Sequence, residues 1–281
     1  MTKHRRMFLW SAIVYLALTM FFFMEALFTP SLNYDFPFVG YGGTFLYSSF
    51  NLGRVSVSLY WLMHGVGIVG MIWMCLSRAK TFQVPRMVAV LTALLLAVFG
   101  FFGAKLLYIL ENWESVRQKG LSLGGVSFFG TVFFMPLIIP LMALVFRKKP
   151  LEYLDYCTPA GIIMLACIRT GCFLNGCCHG ITMWFDSHPV VLPSQLIECT
   201  LDMLLLHFIF RMEQSGKTKG HLYALFMGGY GTIRFLVELT RATPKTILGL
   251  SHGQCFSLVC IFVFLLILLY NKQTTHKNTL N

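Results

Sequence analysis

Eight apolar runs divide this chain, at roughly 8–28, 56–76, 86–110, 124–146, 157–177, 191–211, 220–239 and 254–270. Each is close to the ~20 residues that a helix needs to cross a bilayer. Backbone N–H and C=O groups in hydrocarbon must be satisfied within the segment, so runs of this kind fold as helices. The predicted fold is therefore all-α, a polytopic membrane helix bundle of about eight transmembrane helices. Of 281 residues, 57% are hydrophobic and only 12% charged, which excludes an ordinary soluble domain. The first run follows Lys3, Arg5 and Arg6 and resembles the start of a signal peptide. Its apolar stretch is longer than a signal core and no small-x-small cleavage site follows, so it is expected to remain as an anchor.

A net charge of +11 suggests nucleic acid at first sight. The basic residues, however, fall in short segments between apolar runs, where they orient spans and attract anionic headgroups. No nucleic-acid partner is expected; membrane lipids are. With the N-terminus in the cytoplasm, fourteen Lys and Arg lie on the inner side, from Lys3 through Arg78, Arg147 and Arg211 to Lys277. Five lie outside: Arg54, Arg117, Lys119, Arg241 and Lys245. The positive-inside rule thus predicts both termini cytoplasmic.

Arg169 and Arg234 sit inside apolar runs. A guanidinium there costs about 2.5–3.5 kcal/mol on insertion scales unless it meets water, an anion or a partner. A fixed cation that cannot lose its proton is suited to hold a phosphate. The predicted topology places both arginines in the outer half of the bundle. At the same depth it places Tyr60 and His64, one turn apart on one helix face, together with Lys105, Ser194, Gln195, Glu198, Glu238 and Arg241. Mutual neutralisation, for example Arg234 with Glu238, is one explanation. A polar cavity open to the outer leaflet is the other, and the collection of residues on one side favours it. Gly171, Gly176 and Gly180 punctuate the end of the fifth run, and Gly228, Gly229 and Gly231 are expected to interrupt the seventh. Such glycines expose helix-end amides to an anion or merely let helices pack closely.

The densest segment runs Arg169-Thr170-Gly171-Cys172-Phe173-Leu174-Asn175-Gly176-Cys177-Cys178-His179-Gly180. It resembles the signature of the prolipoprotein diacylglyceryl transferases, in which an arginine and a glycine precede Asn-Phe-x-Asn-Gly-Glu. Further blocks are similar to that family in the same order. They are Tyr60-Trp61-Leu62-Met63, Gly103-Ala104-Lys105-Leu106-Leu107-Tyr108, Gly124-Gly125-Val126-Ser127-Phe128-Phe129-Gly130 and Pro193-Ser194-Gln195-Leu196-Ile197-Glu198. Tyr230-Gly231-x-x-Arg234-Phe235-x-x-Glu238-x-x-Arg241 and Gly253-Gln254 follow. The resemblance spans about 54–270. It divides the chain into an N-terminal helix and outer loop (1–53), a transferase-like membrane domain (54–271) and a cytoplasmic tail (272–281).

The resemblance implies transfer of a diacylglyceryl group from phosphatidylglycerol to the cysteine thiol of a secreted, lipobox-containing precursor. The reaction would take place at the outer leaflet of the bacterial plasma membrane. Arg169 and Arg234 would bind phosphate, and Tyr60, His64, Lys105, Asn175, Ser194, Gln195, Glu198, Tyr230, Glu238 and Arg241 would line the substrate site. The attacking thiol needs a base or a cationic field. The family's histidine in Ser-Phe-His-Gly is Phe129 here, so His179 is the preferred base, with His64, His188 and His252 as alternatives. The family's Asn and Glu are Cys172 and Cys177, and Leu192 precedes Pro193 in place of a histidine. These departures keep open a paralogue with another acceptor, or a non-catalytic lipid-binding or thiol-redox protein. For Cys172, Cys177 and Cys178 the expectation is packing or a disulfide from Cys172 to Cys177 or Cys178. Their spacing lacks the paired Cys-x-x-Cys form of zinc sites, so neither metal nor cofactor is expected.

Overall fold

The computed structural model describes residues 2–28, 49–52, 55–120, 125–185, 188–215, 221–245 and 248–280. Most of the aromatic loop of 31–53, together with Arg54, Gly124, Lys217 and Lys219, lies outside them.

Among the described residues are eight long helices: α1 (Thr2–Phe28), α2 (Leu59–Ala79), α3 (Arg86–Glu111), α5 (Phe128–Val145), α6 (Pro150–Leu174), α7 (Ser194–Gln214), α8 (Leu222–Leu239) and α9 (His252–Leu280). A short α4 (Trp113–Lys119) follows α3. Prolines set several of the starts. Pro150 occupies the first position of α6, where its missing N–H costs nothing, and Pro85 and Pro193 immediately precede α3 and α7. The described residues also form two antiparallel hairpins, β1 (Ser49–Leu52) with β2 (Val55–Ser58) and β3 (Thr182–Phe185) with β4 (His188–Val191). The chain is an all-α, multi-pass membrane protein.

Among the described residues, six helices are long and apolar enough to cross a membrane: α1, α2, α3, α5, α6 and α9. The remaining two long helices carry Glu198 and Asp202 on α7 and Arg234 and Glu238 on α8, of which the sequence reading had singled out all but Asp202. Their polar groups face protein: all four are buried, with at most 5% exposure.

The chain forms two compact units. The first takes residues 1–67, 162–218 and 222–281. Within it, α1 runs antiparallel to α7: Arg5 donates to Gln214 at 3.3 Å, the rings of Phe8 and Phe210 stack at 5.5 Å, and His207 meets the carbonyl of Arg5 at 2.9 Å. The far half of α1 meets the last turns of α6, through Tyr15 with Thr170 at 2.9 Å and Phe22 with Phe173 at 5.2 Å. The helices α7, α8 and α9 alternate in direction, because Glu198 pairs with Arg234 and Gly253 abuts Glu238. The expected glycine break in α8 does not occur. The helix is continuous, and Gly228 and Gly231 face α9 while Gly229 faces Leu205 of α7. Without a hydrophobic drive between helices in lipid, close backbone approach is what holds such a trio.

The second unit takes residues 68–161 and 219–221. Here α3 and α5 cross antiparallel, with Thr131 donating to the carbonyl of Gly100 at 2.7 Å and Ser127 N–H to that of Ala104 at 3.0 Å. Arg78, assigned by sequence to an inner loop, is instead in the last turn of α2. It is 4% exposed, donates to the carbonyl of Asp155 at 3.1 Å and lies over the Phe82 ring. Helical residues continue past the apolar run there, so a cation at the helix end is drawn into the protein, where carbonyls of α6 receive it.

Candidate active site

Three guanidinium groups and two carboxylates form one buried network in the first unit. Arg169 Nε lies 2.8 Å from Glu198 Oε1, and Arg234 Nη1 lies 2.8 Å from Glu198 Oε2. Arg234 Nη2 reaches Glu238 Oε2 at 2.6 Å, and Arg241 Nη1 reaches the same oxygen at 3.2 Å. One carboxylate therefore bridges α6 and α8 from α7, and a second holds the end of α8. Fixed charges leave the set with one positive charge in excess. Arg169 uses its Nε toward Glu198, and among the described residues no ion pair takes its terminal nitrogens. A buried cluster that keeps one positive charge in excess is suited to an anion.

The start of α9 supports Glu238. Ser251 Oγ donates to Glu238 Oε1 at 3.1 Å and accepts from Gln254 N–H at 3.2 Å, while Ser251 N–H donates to Gln254 Oε1 at 3.0 Å. This reciprocal pair is a capping box, and it satisfies two helix-start donors. A Cβ on Gly253 would stand 2.9 Å from the Glu238 carboxyl carbon, so the backbone of α9 approaches the carboxylate as closely as only glycine permits. The Gly253-Gln254 pair of the sequence thus has two separate physical tasks.

The signature segment owes its shape to how α6 ends. Cys177 N–H donates to the carbonyl of Cys172 and Gly176 N–H to that of Phe173, both at 3.0 Å, with Gly176 at φ +69°. This is a Schellman cap, which folds the residue after the glycine back onto the last full turn. It brings Cys177 against Cys172. Cys178 follows at φ +62°, a left-handed conformation that costs a side-chain-bearing residue roughly 1–3 kcal/mol. The three sulfurs all lie within 4.8 Å of one another, and all nine cysteines are free thiols. Hydrogen bonds from Cys172 and Cys177, then the charges of Arg169 and Arg241, hold the Cys178 thiol below its ordinary range.

The other predicted residues fall as follows. Gln195, buried at the start of α7, donates Nε2 to the Cys177 carbonyl at 2.6 Å. Ser194 pairs its hydroxyl with Thr240 at 2.8 Å, tying the start of α7 to the end of α8. Asn175 hydrogen-bonds the Cys177 thiol. Tyr60, packed against Gly171, is within electrostatic reach of Arg169 and the three thiols. His64 contacts the Tyr60 ring at 4.5 Å and directs Nδ1 to the Tyr60 carbonyl at 2.9 Å. Tyr230 is fully buried, stacked on Phe226 at 5.5 Å. His179 directs Nδ1 to the Gly180 carbonyl at 3.0 Å; a carbonyl only accepts, so Nδ1 carries the proton and Nε2 is the basic nitrogen. His252 is exposed at the first position of α9, and the side chain of His188 lies outside the described residues. Lys105 belongs to the second unit, where it donates to the Gly125 carbonyl at 3.1 Å and lies over the Tyr108 ring. Phe129 belongs to that unit too and is buried.

Asp202 escaped the sequence reading. It stands one turn after Glu198 on α7, is 0% exposed, and neither carboxyl oxygen has a hydrogen-bond partner among the described residues. An ionised carboxylate without a donor in such a place costs several kcal/mol, so the neutral acid is the economical form. The i, i+4 spacing of two acids in an apolar run was the available signal.

Long apolar helices together with a buried arginine–glutamate network mark a polytopic membrane protein with a place for an anionic group. Comparison with known proteins narrows the class. The family model for prolipoprotein diacylglyceryl transferase matches residues 48–270, and the chain belongs to that family. It is 26% identical over 247 residues to the phosphatidylglycerol–prolipoprotein diacylglyceryl transferase of Dehalococcoides mccartyi, covering 80% of this chain and 95% of that one. A second such transferase of Clostridium perfringens is 26% identical over 238 residues, covering 78% and 93%. That of Methylobacillus flagellatus is 31% identical over 250 residues, covering 77% and 94%.

Proposed function

We propose that this enzyme transfers the diacylglyceryl group of phosphatidylglycerol to the cysteine thiol of secreted lipobox precursors, at the outer leaflet of the bacterial inner membrane. The observation that carries the reading is the convergence of Arg169 and Arg234 on Glu198 at 2.8 Å each, within a network that retains one positive charge. The orientation follows the distribution of Lys and Arg, with eight crossings and both termini inside, and it sets Arg169, Arg234, Glu238 and Arg241 toward the exterior.

In this mechanism the thiol sulfur attacks the glyceryl carbon that bears the phosphate. A C–S bond forms as the C–O bond breaks, and the electron pair leaves on the phosphate oxygen of glycerol phosphate. Fixed guanidinium groups in a water-poor site stabilise that developing charge without reorganising. In this reading the terminal nitrogens of Arg169 and the edge of Arg241 donate to the phosphate. The thiol proton passes to a base, for which His179 Nε2 is the candidate. Glu198 and Glu238 orient the arginines, and Tyr60, His64, Asn175, Ser194, Gln195 and Tyr230 shape the surrounding wall. Lys105 is assigned to the headgroup by resemblance alone. The division at 53/54, with α1 as an addition, belongs to the same reading.

The test incubates purified protein with phosphatidylglycerol and a lipobox peptide. Glycerol phosphate release together with a thioether-linked diacylglyceryl peptide supports the proposal. Tight lipid binding with neither product overturns it.

A further inference from the structure

We infer that Cys172, Cys177 and Cys178 form a three-thiolate binding site for a thiophilic d10 metal ion of the Zn2+ or Cu+ class. Their spacing in sequence argued against a metal. What spacing does not show is the Schellman cap at Gly176, which replaces the usual Cys-x-x-Cys knuckle by folding Cys177 onto Cys172.

Three thiols within 4.8 Å of one another fit a metal better than any pairwise bond. Metal–sulfur bonds of ~2.3 Å set three ligating sulfurs roughly 4 Å apart, within the 4.8 Å limit that this cluster keeps. A disulfide would consume two of the thiols, strand the third, and require an oxidant. The donors are also graded in burial, from buried Cys172 through half-buried Cys177 to exposed Cys178, so the cluster reaches from the protein interior to the surface.

The surroundings supply what a metal–thiolate site needs. Binding of Zn2+ requires all three sulfurs as thiolates, sends the remaining thiol protons to solvent, and leaves the metal with its three thiolates carrying one net negative charge. The charges of Arg169 and Arg241 act on this cluster and offset it. Gln195 fixes the Cys177 carbonyl through Nε2, and its Oε1, buried, has no hydrogen-bond partner among the described residues. The amide thus anchors the backbone of one ligating residue, the kind of outer contact that orients metal sites.

The experiment uses the full chain in detergent, reduced with a phosphine, and titrated with Cd2+ as a spectroscopic probe and Zn2+ for stoichiometry. One ion per chain and an ultraviolet sulfur-to-cadmium charge-transfer band are expected. Cys177→Ser and the exposed Cys178→Ser should each weaken binding at least tenfold with unchanged helical circular dichroism, while Cys255→Ser on α9 should leave it intact. Absence of the band in the unaltered chain overturns the inference, as does a band that survives both signature substitutions. The readout needs neither lipid nor acceptor, so its failure is separable from failure of the transferase reading.

Discussion

The Glu198 carboxylate holds Arg169 with one oxygen and Arg234 with the other, each at 2.8 Å. Removing its charge should therefore strike two arginines at once. Breaking one partner out of a buried ion pair costs about 3–5 kcal/mol. Glu198→Gln is expected to lower the unfolding midpoint in detergent and to reduce glycerol phosphate release at least 100-fold. Arg169→Ala and Arg234→Ala should abolish release, and Arg169→Lys should not restore it, because an ammonium cannot engage Glu198 and a phosphate as a planar fork does. Retained turnover in Arg169→Lys would contradict the fork.

Gly253→Ala tests the approach of α9 to Glu238. The added methyl would stand 2.9–3.0 Å from the carboxyl atoms and push them away from Arg234 and Arg241. A displacement of that size near the chemistry costs on the order of 10–100-fold in rate. Ser251→Ala removes the cap and one carboxylate hydrogen bond, with an expected loss of about 1–2 kcal/mol by denaturant titration. Unaltered kinetics in Gly253→Ala would show that Glu238 does not position the arginines.

Asp202 offers a stability measurement. If it is carried as the neutral acid, Asp202→Asn preserves size and polarity and should change stability by less than about 1 kcal/mol. A loss several times larger, measured at neutral pH, would mean that an ionised carboxylate is needed there.

Cys178 can be tested by alkylation. Its thiol is held below the ordinary value near 8.5, so thiolate persists at pH values where a free cysteine is protonated. In reduced, metal-free protein, iodoacetamide at pH 6 should modify Cys178 ahead of Cys177. Removing the nearby charge in Arg241→Gln should shift the pH profile of that reaction upward. A profile matching free cysteine would refute the assignment.

Much of the site was legible in the sequence, for a reason that particular residues show. Arg169, Arg234, Glu198 and Glu238 stand out because ionisable groups in apolar runs are rare and costly. Their pairing was not legible. Arg234 lies 36 residues from Glu198 but four from Glu238, and sequence favoured the near partner. The structure uses both. The glycines of α8 were read as a break because composition cannot separate a helix end from a helix contact. Asp202 was passed over because an acid one turn from another reads as part of the same polar face.

By itself the sequence determined the class: helices, their approximate ends, and the membrane as solvent, since length and hydropathy are properties of each segment taken alone. It also carried the family, through residue types kept in order from 48 to 270. Tertiary structure alone decided which carboxylate bridges which arginines, that the α9 backbone presses on Glu238, and that three thiols meet. Those outcomes depend on how each helix is rotated about its axis and on one glycine with positive φ at the end of α6. The rotations are settled by packing against elements distant in the chain, and the cap, although local, shows only in three dimensions that it folds Cys177 onto Cys172.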